Sequence, residues 1–242
     1  RERQMCIRDS YPWMETRGTN VNAIWGYIAD GLFTSQDEID DHAKQFGTVH
    51  VGDIKYRDLN DDGVIDDYDK TVIGRGDVPR IYYGFGADLQ VGNFSFSALF
   101  QGNAQADRYL DGISIKPFWD DEGRDNVFAN ITDRWSADNP TNQDVFYPRL
   151  SVGSDGNNNN VKPSSWWVKD VSFLRLKQVN ISYTLPKKWT DPLLIKNAQI
   201  YLMGTNLLTF SKFKLWDPEL NTSNGTAYPN VSSYSIGLKF NF

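Results

Sequence analysis

The segment Tyr234-Ser235-Ile236-Gly237-Leu238-Lys239-Phe240-Asn241-Phe242 alternates bulky apolar residues with polar or small ones up to the last residue of the chain. Side chains of a strand point to opposite faces with a period of two. This segment is therefore a strand with one oily face and one wet face. The same period recurs upstream. Ile81, Tyr83, Phe85, Ala87, Leu89 and Val91 share one parity, and Phe94, Phe96, Ala98 and Phe100 another. Gly92-Asn93 lies between them, a tight-turn dipeptide, so the two runs form a hairpin. A third strand is expected over 172–185. Leu174 and Leu176 are on one parity there, and Val179, Ile181, Tyr183 and Leu185 on the other, so the switch near Lys177-Gln178 predicts a bulge. A fourth strand runs from Ala198 to Phe210, with Ile200, Leu202, Leu208 and Phe210 in phase.

The connections are as informative as the strands. Gly92-Asn93 and 186–197 are short or moderate, whereas 102–169 and 211–233 are long and polar. Short and long connections that alternate along antiparallel strands are the pattern of a membrane barrel with small turns at one end and large outer loops at the other. The expected fold is all-β: antiparallel strands forming the C-terminal part of a transmembrane β-barrel, with long extracellular loops and short helices. The apolar parity then faces membrane lipid and the polar parity a watery lumen. Phe242, Phe240 and Leu238 resemble a barrel-insertion signal, because a closing strand must show lipid an unbroken oily face. The competing reading is a secreted calcium-binding β-sandwich that binds glycans, which would bury the same parity against a second sheet.

Composition narrows the function. The chain has 242 residues and a formal charge of −6, which speaks against nucleic acid as a partner because phosphate binding needs a basic face. Aromatic residues make up 14%, which suits either sugar stacking or interfacial girdles. The single cysteine, Cys6, can form neither an internal disulfide nor a cysteine metal cluster. Residues 1–20 read as an N-terminal stub, and its first ten residues, unlike the rest in composition and without an apolar leader core, as a spurious extension. Residues 21–79 read as an extracellular loop region. Within it Ser35-Gln36-Asp37-Glu38 is a capping box, predicting a helix through Ile39 and Ala43 to about Gly47. Residues 80–242 hold the barrel strands and the loops 102–169 and 211–233. A further helix is expected around 125–135.

Within 21–79, Asp58-x-Asn60-x-Asp62-Gly63-Val64-Ile65-Asp66-x-x-Asp69 has the spacing of an EF-hand loop. Oxygen donors are expected from Asp58, Asn60, Asp62, Asp66 and Asp69, with the backbone carbonyl of Val64 completing the set. Hard oxygens in that number suit Ca²⁺ rather than zinc. Aspartate in the final position, where glutamate is usual, predicts modest affinity. No helix pair flanks the loop, so the ion is expected to be structural.

Several blocks resemble the SusC/RagA family of TonB-dependent transporters. Val51-Gly52-Asp53-Ile54-Lys55-Tyr56-Arg57-Asp58 and its continuation to Asp66 match the family's "PGDIKYxDxNGDGxID". Thr71-Val72-Ile73-Gly74 and Tyr83-Gly84-Phe85 follow in family order. Arg134-Trp135-Ser136 through Pro148-Arg149-Leu150 resembles "RWTPENP…YPRL". Ser164-Ser165-Trp166-Trp167-Val168-Lys169-Asp170 and onward to Val179 resembles "SSxWLxDxSYLRLKNV", and Tyr183-Thr184-Leu185-Pro186 closes that strand as in the family. Val51 stands in place of Pro, Asp61 in place of Gly, and Val171 where a small residue is usual. The resemblance covers nearly all of the chain after residue 20. It implies a plugged barrel of about 22 strands in the outer membrane of a Gram-negative bacterium. It also implies a SusD-like surface lipoprotein as partner, energy from the TonB complex through a missing N-terminal part, and uptake of glycan or peptide.

No catalytic constellation appears, and an enzyme is not expected. Asp120-Asp121-Glu122 reads as a solvated acidic loop rather than a hydrolytic carboxylate pair. His42 and His50 have no nucleophile motif beside them. Trp119, Trp166 and Trp167 are candidate contacts for substrate or partner, Trp135 is expected to pack within the loops, and Trp189, Tyr183, Phe210 and Phe213 suit girdles.

Overall fold

The computed structural model describes residues 11–112, 115–118, 127–152 and 158–241. Trp119, Asp120-Asp121-Glu122, Phe242 and the first ten residues lie outside them. In chain order the principal elements are β1 (Ile24–Gly26), β2 (Ala29–Leu32), α1 (Gln36–Asp40), β3 (Ile54–Tyr56), β4 (Thr71–Gly74), β5 (Ile81–Val91), β6 (Phe94–Ala104), β7 (Asp107–Tyr109), β8 (Val168–Asp170), β9 (Phe173–Thr184), α2 (Lys187–Thr190), β10 (Asn197–Ser211) and β11 (Ser233–Asn241). The chain divides into two compact units: residues 1–78, 107–169 and 222–224, and residues 79–106, 170–221 and 225–242.

The second unit is one antiparallel sheet in the order β11-β10-β9-β6-β5. Taken in chain order, the successive strands of this sheet are neighbours in space, with β7 and β8 set apart in a pair of their own, as in an up-and-down barrel wall with a long connection. β5 and β6 pair in an unbroken register from Ile81↔Ala104 to Val91↔Phe94, closed by the two-residue turn Gly92-Asn93. β9 carries the expected bulge. Phe100 pairs with Leu176 and Leu99 with Gln178, leaving Lys177 as the extra residue. One added residue inverts parity, so Leu174 and Leu176 end up on the same face as Val179 and Ile181 despite their sequence phase. β10 answers with its own irregularity between Thr205 and Leu208, where Asn206 has a φ of 53°.

Among the described residues no second layer covers the oily face of this sheet. Ile236 is 79% exposed, Phe85 56% and Leu202 48%, and Leu89, Val91, Phe94, Ile181, Leu208, Tyr234, Leu238 and Phe240 are likewise exposed. This overturns the sandwich alternative, which requires those side chains to be sealed inside. The polar parity is hydrogen-bonded across strands, with Gln199 Nε2 donating to Ser182 Oγ at 2.9 Å and Thr205 and Ser233 sharing a 2.6 Å hydroxyl bond. Among the described residues no helix is long and apolar enough to cross a membrane. Strands of 9–15 residues match the roughly 9–11 needed to span one as a tilted strand.

The first unit is built from loops around a core of its own: Tyr27, Leu32, Phe33, Ile54, Tyr56, Tyr147 and Trp167 are all buried. β2 pairs with β3 and β1 with β4. The Ser35 hydroxyl caps α1 by accepting the Glu38 N–H at 3.2 Å. The helix stops at Asp40, short of Gly47, because the backbone beyond is committed elsewhere. Lys44 N–H donates to Gly63 O, and Ile65 N–H to Lys44 O. Near 125–135 the described residues form a 3-10 turn, Ala129–Thr132, in place of the expected helix. Trp135 pairs there by backbone with Tyr147, which pulls the chain extended.

Candidate functional site

The exposed wall of the second unit is the first candidate surface. Register stacks its apolar side chains in rows: Leu202 stands opposite Ile181 on one side and Ile236 on the other. Aromatic residues stand both in mid-strand, where Phe85 and Phe100 stack at 5.0 Å, and toward the strand ends. Tyr183 and Phe94 pair at a ring distance of 4.5 Å beside the short turn, and Trp189 on α2 is 60% exposed. Tyr234 and Phe210 lie toward the opposite ends of their strands, both exposed. Phe213 departs from the girdle expectation: it is buried, with its ring edge-on to Trp216 at 4.9 Å. Arg175 is 1% exposed and ion-paired with Asp217 and Glu219, so the residues after β10 are anchored by charge as well as by packing.

The acidic loop is the second. Gly63 has a φ of 83°, the left-handed conformation that a sharp turn demands. Its N–H donates to Asp58 Oδ2 at 2.8 Å, which draws the first and sixth positions of the loop together. Asp62 Oδ1 accepts Val64 N–H, and Asn60 Oδ1 accepts Asp62 N–H. Asp69 is fully buried and accepts N–H groups from Leu59 and Asp66, one on each oxygen. Burial raises its carboxyl above the usual range, the two backbone donors oppose that, and the nearby Asp58 and Asp66 add to it. Ile65 is buried, pinning the loop to the unit's core. Among the described residues no three acidic, His or Cys side chains converge as a metal group. One atom nevertheless lacks any partner: Asp58 Oδ1 is buried without a hydrogen bond. An orphaned carboxylate oxygen is costly unless a cation satisfies it, and the neighbouring positions of the loop's spacing, Asn60 and Asp62, carry hard oxygens.

The third feature is a cavity of about 370 Å³ lined by Ala29, Gly31, Gln143, Val145, Ser165, Trp166 and Lys169. Its walls are fixed. Gln143 grips Leu32 through both backbone groups, Ser165 Oγ accepts Ala29 N–H, and Trp166 Nε1 donates to Phe146 O at 3.0 Å. Lys169 Nζ sits 5.1 Å from the centre of the Phe146 ring. Burial pulls this ammonium below its usual range, and Asp133 at longer reach partly offsets the pull. Trp167 lies elsewhere: it is 2% exposed, and its indole N–H donates to Asn160 O inside the loop core.

Sequence reasoning missed the network that holds the first unit together. Asp53, 1% exposed, receives the Arg149 guanidinium through two nitrogens at 2.8 and 3.1 Å, the Asn160 amide at 2.8 Å and the His50 N–H at 2.8 Å. Asn160 Oδ1 in turn accepts Ile54 N–H. Both ion-pair partners stood in recognisable blocks, but nothing local marked them as a pair. Gly52 beside them has a φ of 92°, and a Cβ there would lie 2.3 Å from Trp135, so only glycine fits under that ring. His42 packs edge-on against Phe33 and bonds Gln45, an ordinary structural role.

No family model matches the chain. It is 34% identical over 93% of its length to TonB-dependent receptor P26 of Formosa agariphila, and 27% identical over 93% to TonB-dependent receptor P3 of the same organism. The chain spans 23% and 22% of those relatives. Among solved structures it is similar to the RagAB peptide importer in its open-open state, with a TM-score of 0.64, 21% identity, and 91% of this chain against 22% of that one. For the closed-closed state the TM-score is 0.65, covering 90% and 23%.

Proposed function

We propose that the chain, which is similar over 93% of its length to a TonB-dependent receptor, supplies part of the barrel wall and outer loops of a SusC/RagA-type nutrient importer in the outer membrane. The single observation that carries this reading is the uncovered apolar face of the five-stranded sheet, which water would not tolerate over so many adjacent large side chains. Lipid is the solvent that suits it. The two open edges, β5 and β11, then pair with the remaining strands of the same protein. The cargo is an oligosaccharide or a peptide, taken up with a SusD-like surface lipoprotein and driven through TonB. Deleting the gene for the full-length protein is expected to abolish uptake of its cargo by intact cells, as does collapse of the proton gradient. The protein itself is expected in outer-membrane fractions, co-purifying with a lipoprotein. Recovery from the soluble fraction defeats the reading.

We also propose that the acidic loop takes Ca²⁺ through Asp58, Asn60, Asp62, the Val64 carbonyl, Asp66 and Asp69, as a staple of the loop unit. The orphaned Asp58 oxygen and the hard-oxygen donor set support it. Occupancy requires Asp69 and Asp66 to give up backbone bonds, which keeps the affinity modest. Calcium titration of the full-length protein is expected to slow proteolysis within 58–69. Asp58→Ala and Asp62→Ala are expected to remove that protection and leave strand content unchanged. Proteolysis indifferent to calcium in the unaltered protein refutes the site.

A further inference from the structure

We propose that the cavity at Trp166 and Lys169 is a subsite for a carboxylate-bearing sugar ring, with the Lys169 ammonium taking the carboxylate and the Trp166 indole taking the ring face. The inference deepens the import reading and rests on it. At about 370 Å³ the cavity lies at the small end of the range for ligand sites, about 300–1,000 Å³, and suits a compact ring.

Lys169 is the residue that points to an anion. An ammonium carries three donors and no acceptor. Other lysines of the same unit have used theirs: Lys116 donates to Tyr109 Oη, Asp111 and Val161 O, and Lys55 is ion-paired with Glu38. Lys169 has only the Phe146 ring, and no described residue forms a hydrogen bond or ion pair with its ammonium. A half-buried cation with open donors on a cavity wall gains most from a ligand that brings the missing charge.

Trp166 specifies the rest of the ligand. Its N–H is committed to Phe146 O, so what it offers the cavity is a flat apolar surface. Pyranose rings have a C–H face that suits such a surface and hydroxyls that suit the polar remainder. An extended peptide fits less well, because strand-type recognition needs free backbone groups. Here Leu32 N–H and O are taken by Gln143, and Ala29 N–H by Ser165. With Gln143, Ser165 and the indole already fixed, little is left to order on binding.

The test uses the full-length protein purified in detergent and titrated by tryptophan fluorescence. The probes are glucuronate and galacturonate, their methyl esters, and trialanine, which carries a carboxylate without a sugar. Both acids are expected to bind saturably, and the esters about tenfold more weakly. Lys169→Gln is expected to reduce the acids to the level of the esters, and Trp166→Ala to weaken acid and ester alike. Heat-modifiable migration in electrophoresis verifies that each variant is a folded barrel. The proposal is overturned by absent uronate binding, by acids and esters binding equally, by Lys169→Gln without effect, or by trialanine alone depending on Lys169. Failure of the import reading is seen separately, as outer-membrane uptake that does not depend on this protein at all.

Discussion

Leu202→Arg is expected to destabilise the folded protein by about 2–4 kcal/mol, the cost of a basic side chain on the lipid face near mid-membrane. Leu202 sits mid-strand on β10, an inner strand of the sheet, 48% exposed and flanked in register by Ile181 and Ile236. On the proposed lipid face an arginine there is flanked across both neighbouring strands by isoleucine, Ile181 and Ile236. Its neighbour Met203 provides the control, since it lies on the opposite parity between Asn180 and Ser235. Met203→Lys is expected to change stability by less than about 1 kcal/mol, because lumen-side polarity is tolerated. Urea unfolding of the full-length protein in lipid vesicles, followed by tryptophan fluorescence, measures both. Equal effects of the two substitutions contradict the lipid-facing assignment. A larger effect at Met203 reverses the faces.

Asp53→Ala is expected to be the most damaging single change in the loop unit, at about 3–5 kcal/mol, since it strips a buried ion pair of one member. The substitution removes the acceptor for Arg149, for the Asn160 amide and for His50 N–H together. Asn160 also satisfies Ile54 N–H, so the effect spreads into β3. Amide exchange at Ile54 and Phe33 is expected to accelerate by roughly two to three orders of magnitude, given tenfold per 1.4 kcal/mol. Amides of β9 and β10 are expected to keep their protection. Asp53→Asn separates charge from geometry: it keeps an oxygen for the donors, and its cost is expected to be the smaller of the two. Unchanged exchange at Ile54 in Asp53→Ala shows that the network does not hold the unit.

These two sites differ in how far the amino-acid sequence announces them. The row at Leu202 is legible residue by residue, because strand parity is a local property and every second side chain reports it. The bulge at Lys177 is legible for the same reason: a change of phase within one run can be absorbed only by an unpaired residue. The turn at Gly92-Asn93 needs two residues of a particular kind, and they are present. The helix after Ser35 was legible at its start, where the cap is local, and not at its end, which Lys44 surrenders to the acidic loop. Phe213 has the composition of a girdle residue, and only its contact with Trp216 turns it inward.

By itself, then, the sequence determined the strands, their phase, the oily side of the wall and the calcium-type spacing of the acidic turn. Each of these is written in neighbours a few residues apart. The tertiary structure alone decided that Asp53 meets Arg149 across 96 positions, that Asp69 is sealed in while one oxygen of Asp58 is left wanting, and that Lys169 lines a cavity with no ion pair among the described residues. Loops have no repeating period, so which of their polar groups meet is fixed by chain closure and burial, where an unmet donor or acceptor is too costly to leave at random.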